Sequence, residues 1–495
     1  MEIRLRRAMR VGFLSTLLTS RRMRHFRWIQ DESAWIWELA IIAGACCLAT
    51  TVVFSPGYMS ADSISQLKQA MGDEPLNDWH PPVMSLVWRA LIVVTGTPAT
   101  MAALQSAILW AALWTIAWCV WELTASRAGS LAVLGLGLTP HVLTFVGVVW
   151  KDVHMAFALL ATTAVALVGR RPGTGRPTLR WALLGLGALF LVYAVLVRKN
   201  AIFATVPIFV MLVLALWRKP GRRIWLISTA ALAVGLIVPG IVISAIARPV
   251  QTSQGSQIML DDLLHVLSAD ELRSAAVSPD LRDRLATAAR ECHRVKSLSN
   301  SYFTCWERDT SDLSVHSDQL TSLWTSEMAS HLPGYLQYRL QVFSELLFKG
   351  SHEYESGIIA NTLGLKPSHP RLEATLGTYV KGAVQDLPFL FRGWFWLTVG
   401  LALSVRPGRG SFSMPVRALG VSAAVYVVGY LPIMPATDFR YLYWPAIAGT
   451  LGLLLARLGR GFTNRERQRR RRGRHRSRKP GAATAPEREA AEFGP

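Results

Sequence analysis

Ten stretches of about 20 apolar residues, the length that crosses a bilayer core as a helix, leave this chain few ways to fold. They lie near 36–54, 98–121, 128–147, 153–169, 181–197, 201–217, 224–246, 387–404, 417–434 and 441–457. The fold class that follows is an all-α polytopic membrane protein with about ten transmembrane helices. Composition agrees: charged residues are 17% of the 495, against roughly 25% in soluble domains. A mean hydropathy of +0.29 beside a net charge of +21 excludes a soluble nucleic-acid binder and a disordered chain.

The excess charge sits at the two ends. Residues 1–27 carry eight Arg and one Glu, and residues 457–479 carry twelve Lys or Arg and one Glu, so the ends hold 7 + 11 = 18 of the 21. The run Arg469–Arg472 with Arg474, Arg476, Arg478 and Lys479 directly follows an apolar segment. That placement reads as a cytoplasmic anchor beside anionic membrane lipids, with no nucleic acid as partner. The first span begins near Trp35, late for a cleaved signal peptide, and is read as retained. Val11–Thr19 is too short to cross and is placed at the interface.

Sidedness turns on Val83–Thr95, which is apolar but only 13 residues long and contains Arg89. If it does not cross, the basic loops Arg170–Arg180, Arg218–Arg223 and Arg406–Arg409 and both termini share the cytoplasmic side, as the positive-inside rule requires. It is therefore expected to lie on the outer face. The organisation expected is a basic cytoplasmic arm (1–35), a transmembrane module (36–246) with a long first outer loop (55–98), an extracytoplasmic domain (247–386), C-terminal membrane helices (387–457) and a basic, disordered cytoplasmic tail (458–495). The 247–386 insert has 17 acidic and 13 basic residues, and apolar spacing over Asp261–Leu267, Leu281–Arg290 and Tyr335–Phe348 predicts helices. Cys292 and Cys305 both lie there and form a candidate disulfide if the compartment is oxidising. No sustained internal repeat is visible.

Polar residues at membrane depth are costly and by default point to function. Between Val83 and Ala247 the only acids are Glu122, at an expected cytoplasmic end, and Asp152. Asp152 follows Lys151 and stands within a turn of His154; a self-neutralising pair is the plainer alternative. Arg198-Lys199-Asn200 puts two cations on the side that the topology makes external. Either it is a turn with Asn200 as a helix cap, or it holds an anion through the planar Arg fork. Arg440, in Thr437-Asp438-Phe439-Arg440-Tyr441, is similar, with Asp438 as its simple partner.

The first outer loop carries Asp62, then Asn77-Asp78-Trp79-His80-Pro81-Pro82. Ile64, Leu67 and Met71 fall at helical spacing, which predicts an amphipathic helix on the membrane. Asp62 and Asp78 both suit helix caps. A carboxylate held at the membrane face also suits proton abstraction from a hydroxyl.

Taken in order, these residues make the chain resemble the GT-C superfamily of integral-membrane glycosyltransferases, near its protein O-mannosyltransferase-like and related bacterial branches. The resemblance rests on Asp62, on His80-Pro81-Pro82, on Asp152 and Arg198, and on Arg440-Tyr441, over about 55–250 and 387–457. It implies transfer of a sugar from a polyprenyl-phosphate donor to an extracytoplasmic acceptor, with inversion, at the plasma membrane. Asp62 would be the general base and Asp152 the second acid. Arg198, Arg440, Lys151 and His80 would hold the donor phosphate, with Asp78, His154 and Tyr441 as further candidates. No cofactor is expected, and no metal, because Asp152 adjoins Lys151. Many members carry a paired acidic motif where this chain has Asp62-Ser63, so the base stays open between Asp62, Asp78 and the Asp73-Glu74 pair. The insert matches less well, apart from Leu332-Pro333-Gly334-Tyr335-Leu336 and Arg339.

A transporter or flippase of a lipid-linked or anionic envelope precursor is the rival reading, and a non-catalytic scaffold the third. The scaffold predicts that the outer-loop charges do not converge. A periplasm-dependent reporter fused at Arg176 is expected to stay silent, and activity there would overturn the helix count.

Overall fold

The computed structural model describes residues 34–477 except 172–173, 307–309, 350–351, 353, 355 and 409, with backbone alone for 310–312 and 461–477. Most of the N-terminal arm, with Val11–Thr19, lies outside the described residues, as do Arg409, Arg478, Lys479 and the tail beyond. Among the described residues the chain is all helix, with three isolated backbone bridges.

The chain is a multi-pass membrane protein: seven described helices are long and apolar enough to cross a bilayer. Along the chain run α1 (Ala34–Val53), the shorter α2 (Ala61–Met71) and α3 (Pro82–Thr95), then α4 (Thr100–Thr124). Next, α5 (Arg127–Leu138) and α6 (Pro140–Val146) form a pair bent by 53°. The bend falls at Thr139-Pro140, where proline has no N–H to continue the ladder. Four spans follow: α7 (Lys151–Gly169), α8 (Pro177–Val197), α9 (Lys199–Leu216) and α10 (Arg222–Ala247). The insert holds α11 (Gly255–Val266), α12 (Pro279–Val295), α13 (Ser317–Ser330), α14 (Leu332–Ser344) and α15 (Pro370–Asp386). After it come α16 (Gly393–Val405), α17 (Ser413–Gly429) and α18 (Tyr443–Ser477).

Ten expected spans thus become seven, or eight if the bent pair is one crossing. The stretches at 387–404 and 417–434 appear as α16 and α17, of 13 and 17 residues. They are short because Pro388 starts a separate 3-10 turn and the chain leaves helix after Gly429. The helix of α18 continues through the basic run to Ser477, where a tail without structure was expected from 458.

α7 is the centre. It is apolar on every side, and 17 of its 19 residues are buried, the pattern of a helix enclosed by others. α4, α8, α9 and α18 surround it. α10 is the opposite case, with only Ser228 and Leu232 buried, and rests mainly on α8. α3, at about 1.5 Å per residue, is too short for a core about 30 Å thick. Its Arg89 donates to the carbonyls of Ala70 (2.9 Å) and Gln69 (2.8 Å). These are free groups at the end of α2, where a cation also meets the negative pole of the helix.

α2 is more enclosed than a surface helix, with Ser63, Ile64, Gln66, Leu67, Gln69 and Ala70 buried, while Met71 is exposed. The insert has its own apolar core, including Leu260, Leu263, Leu264, Leu281, Leu285, Tyr302, Leu320 and Leu323. Cys292 and Cys305 are bonded to each other there, with Cα atoms 5.1 Å apart. Tyr338, Val342 and Leu346 of the insert join the main core instead.

Asp261 and Asp262 are fully buried in α11. Asp262 is paired with Arg339 at 2.6 Å and accepts the Trp324 indole N–H at 2.7 Å. Asp261 accepts the Ser301 N–H at 2.8 Å. Burial pushes its carboxyl up to about 6, against the hydrogen bonds from Ser301 and the nearby His265 and Arg339. An acid whose folded value lies above its ordinary 3.8 penalises folding as pH rises from about 4 to 6 and fully above that. Asp261→Asn, which keeps an acceptor for Ser301, is therefore expected to stabilise the protein by up to about 3 kcal/mol at pH 7.5 and to leave it unchanged near pH 4. Thermal unfolding in detergent at the two pH values checks this; equal effects at both would refute it.

Candidate active site

The backbone near the site is stitched before any side chain acts. The Tyr58 N–H donates to Gly147 O (2.8 Å), and the Val149 N–H returns to Tyr58 O (3.0 Å). On the other edge the Met59 N–H donates to Gly357 O (2.9 Å), and Ile359 N–H to Met59 O (3.1 Å). Gly57 is required at this crossing: its φ is +116°, and a Cβ there would lie 2.6 Å from Val149. Ser63 Oγ donates to Val149 O (2.8 Å), and the Trp150 indole N–H donates to Ser60 Oγ (2.7 Å). The start of α2 is thereby fixed beside the start of α7.

Seven side chains from distant parts of the sequence close a ring on this frame. Asp152, in the first turn of α7 and 1% exposed, pairs with Arg198 at 2.7 Å. Arg198 lies in the extended link between α8 and α9. Its guanidinium stands 4.9 Å from the Tyr441 ring, and that of Arg440 stands 5.2 Å from the same ring. Arg440 pairs with Asp62 (3.1 Å) and with Asp438 (3.1 Å), and also lies 5.1 Å from the Trp150 ring. Asp62 is 3.8 Å from His80 Nε2, and His80 Nδ1 is 3.1 Å from Lys151 Nζ. Lys151 adjoins Asp152, which closes the ring.

Three cations (Lys151, Arg198, Arg440) face three acids (Asp62, Asp152, Asp438). Among the described residues no carboxylate lies within ion-pair reach of the Lys151 ammonium, whose hydrogen bond goes to His80. Burial and Lys151 push His80 down to about 3, so its ring is neutral and accepts from lysine through Nδ1. Burial works against the charge of Asp62, but its neighbours outweigh it and hold the carboxyl at about 2: His80 in acid alone, where its ring is protonated, and Arg440 and Lys151 in acid and at neutral pH alike. Asp62 is therefore ionised at every ordinary pH.

Asp62, His80, Lys151, Asp152, Arg198, Arg440 and Tyr441 come together; Asp78 and His154 do not. Asp78 accepts the N–H and the hydroxyl of Thr252, both at 2.6 Å, and ties the first loop to the insert. His154 points into the helices, where Nδ1 meets the Tyr193 hydroxyl at 3.0 Å. Of the 73–74 pair, Glu74 binds Lys68 at 3.1 Å. Three expected caps are also absent. α2 is capped at Ser60, so Asp62 falls in the first turn with its carboxylate free for Arg440. Pro81 precedes α3 where Asp78 was expected, and Arg198 occupies the cap position expected of Asn200.

Tyr430 was missed by the sequence reading. Its hydroxyl accepts from Arg198 Nη2 (2.9 Å) and Nε (3.3 Å) and meets the Tyr426 hydroxyl at 3.0 Å. The available signal was two tyrosines four residues apart in an apolar stretch, on one face of a helix. Each ring carboxylate is committed to an arginine, and among the described residues no three His, Cys, Asp or Glu gather as metal ligands would.

No family model matches the sequence, and no curated protein matches it. Among solved structures, a similar one is the archaeal oligosaccharyltransferase AglB from Archaeoglobus fulgidus in complex with an inhibitory peptide and a dolichol-phosphate. The TM-score is 0.37 at 11% identity, covering 91% of this chain and 52% of that one. This chain thus spans about half the length of that protein.

Breaking a buried ion pair leaves an uncompensated charge, at about 3–5 kcal/mol. Arg198→Gln is expected to destabilise by that amount through the orphaned Asp152. Adding Asp152→Asn should recover a large part of it in detergent thermal unfolding; a double variant worse than the single one would show that the two do not act as a pair.

Proposed function

We propose that the ring is the active site of a membrane glycosyltransferase that takes a sugar from a polyprenyl-phosphate carrier and passes it to an acceptor hydroxyl on the external face. What supports the reading most is the convergence of Asp62 with Arg440, Arg198 and Lys151 on one small region at the ends of membrane helices. A scaffold has no need for that convergence.

The chemistry follows from the charges. A phosphodiester anion docks against Lys151, which no carboxylate among the described residues reaches, and takes donors from Arg440 and Arg198. Asp62 removes the proton from the acceptor hydroxyl as its oxygen attacks the anomeric carbon. The bond from that carbon to the phosphate oxygen breaks, its electron pair stays on the lipid phosphate, and configuration inverts. Cations already in place stabilise the charge that develops on the leaving group.

Held near 2 by Arg440 and its neighbours, Asp62 is a poor base at rest. A phosphate that draws the guanidinium away weakens that hold and raises the carboxylate's proton affinity toward the working pH, where a base is most effective. Donor binding and base activation are thus the same event.

A transporter is the runner-up, favoured by the bent α5–α6 pair, since broken helices often line transport sites. His141, beside this break, meets the Thr450 hydroxyl through Nε2 at 2.9 Å, and its ring is tilted against that of Trp396 with centroids 5.1 Å apart.

Removing a general base typically costs 10²–10⁴-fold in rate. In a strain lacking the protein, Asp62→Asn is expected to reach the membrane at normal level yet leave the same envelope glycan missing, by mass spectrometry, as the deletion does. Full restoration of the glycan would remove Asp62 from this role.

A further inference from the structure

The insert holds both halves of the ring. On one side Trp79, the residue before His80, packs against Tyr302 and Phe303 of the insert, with ring centroids 5.5 and 6.2 Å apart. On the other side Arg339 of α14 donates to the main-chain carbonyl of Met434 at 3.3 Å. Its second terminal nitrogen serves Asp262 at 2.6 Å and the Ile258 carbonyl at 3.3 Å.

Met434 lies in the stretch 431–438, between Tyr430, which holds Arg198, and the ring residue Arg440. The stretch contains Pro432 and Pro435 and has no regular structure beyond a turn at its start. Leu431 and Ile433 bond back to Val428 and Tyr430, but Met434, Ala436 and Thr437 donate no main-chain hydrogen bond among the described residues. Its course is set by the burial of Met434, Ala436 and Phe439 and by Arg339.

A buried ion pair returns about what its desolvation costs, and apolar residues of similar volume often serve stability as well. The Arg339–Asp262 pair is 3% and 0% exposed, so cohesion of the insert does not explain it. What the guanidinium adds is a fork of donors in fixed directions, one aimed at α11 and one at Met434.

We propose that Arg339 is a positioning residue of the anion site. It ties the insert to the 431–438 stretch and so sets where Tyr430 and Arg440 stand, while Trp79 does the same for His80. Insert and ring move as one body, and anything that displaces the insert displaces the cations. This rests on the ring's being a phosphate site.

The test uses the full chain in lipid nanodiscs with decaprenyl phosphate as the probe. Arg339→Lys keeps the charge beside Asp262 but cannot span both partners. Arg339→Met with Asp262→Leu removes both charges while keeping the volume. Both are expected to melt close to the wild type, to exchange amide hydrogens faster over 430–445 but not over 255–330, and to bind the probe roughly ten- to a hundredfold more weakly, the range a misplaced site group costs. Unchanged affinity in the two folded variants overturns the proposal. If the wild type itself does not bind the probe, the phosphate reading fails separately. Hydrogen exchange then decides, and unchanged rates over 430–445 sink the positioning role.

Discussion

A carboxylate that is 1% exposed at the head of the most enclosed helix sets the terms for the rest of this structure. Asp152 cannot keep its charge there alone, because removing an ion from water costs several kcal/mol even after relaxation. Arg198 answers it, and Arg198 in turn is held by the Tyr430 hydroxyl and lies beside the Tyr441 ring. The link between α8 and α9, the end of α17 and the approach to α18 are thereby drawn to one point above α7. Arg440 repeats the arrangement one step outward with Asp62 and Asp438.

The ring is closed, but its components differ in commitment. Asp152 is wholly buried, whereas Asp62 keeps a third of its side chain exposed. The Asp62–Arg440 contact is the pair that an incoming anion and an incoming hydroxyl reach first. Lys151, aimed at a neutral imidazole, is drawn toward any negative charge that arrives. The resting neutrality of the cluster makes such a site stable without substrate and responsive to one.

Much of this was legible from residues that had no business in an apolar chain. Asp152, Arg198 and Arg440 stood out because charge at membrane depth demands an explanation, and the ring contains all three. Asp62 and His80 stood out by their order in the first loop. What the sequence left open was partnership. Asp78 and Asp62 looked alike as loop acids near helix starts, yet Thr252, 174 residues away, claims one and Arg440, 378 residues away, the other. His154, one turn from Lys151, points into the protein because helical rotation turns it there. Helix counting gave ten spans where seven or eight described helices are long and apolar enough, for a local reason: hydropathy sums over a window and does not register the break at Thr139-Pro140 or the early end of α17. Tyr430 was invisible because a tyrosine in an apolar run has no charge to account for.

The bonds from Tyr58 and Met59 to 147–149 and 357–359 have a consequence for how the loop can vary. They fix the phase at which α2 begins. Each residue in a helix turns the next by about 100°, so one residue gained or lost between Met59 and Asp62 would swing the carboxylate away from the arginine and turn the buried face of α2 out of its packing with it. Loop length here is thus a register held to the single residue, and natural variation in this stretch should take the form of substitution and never of insertion.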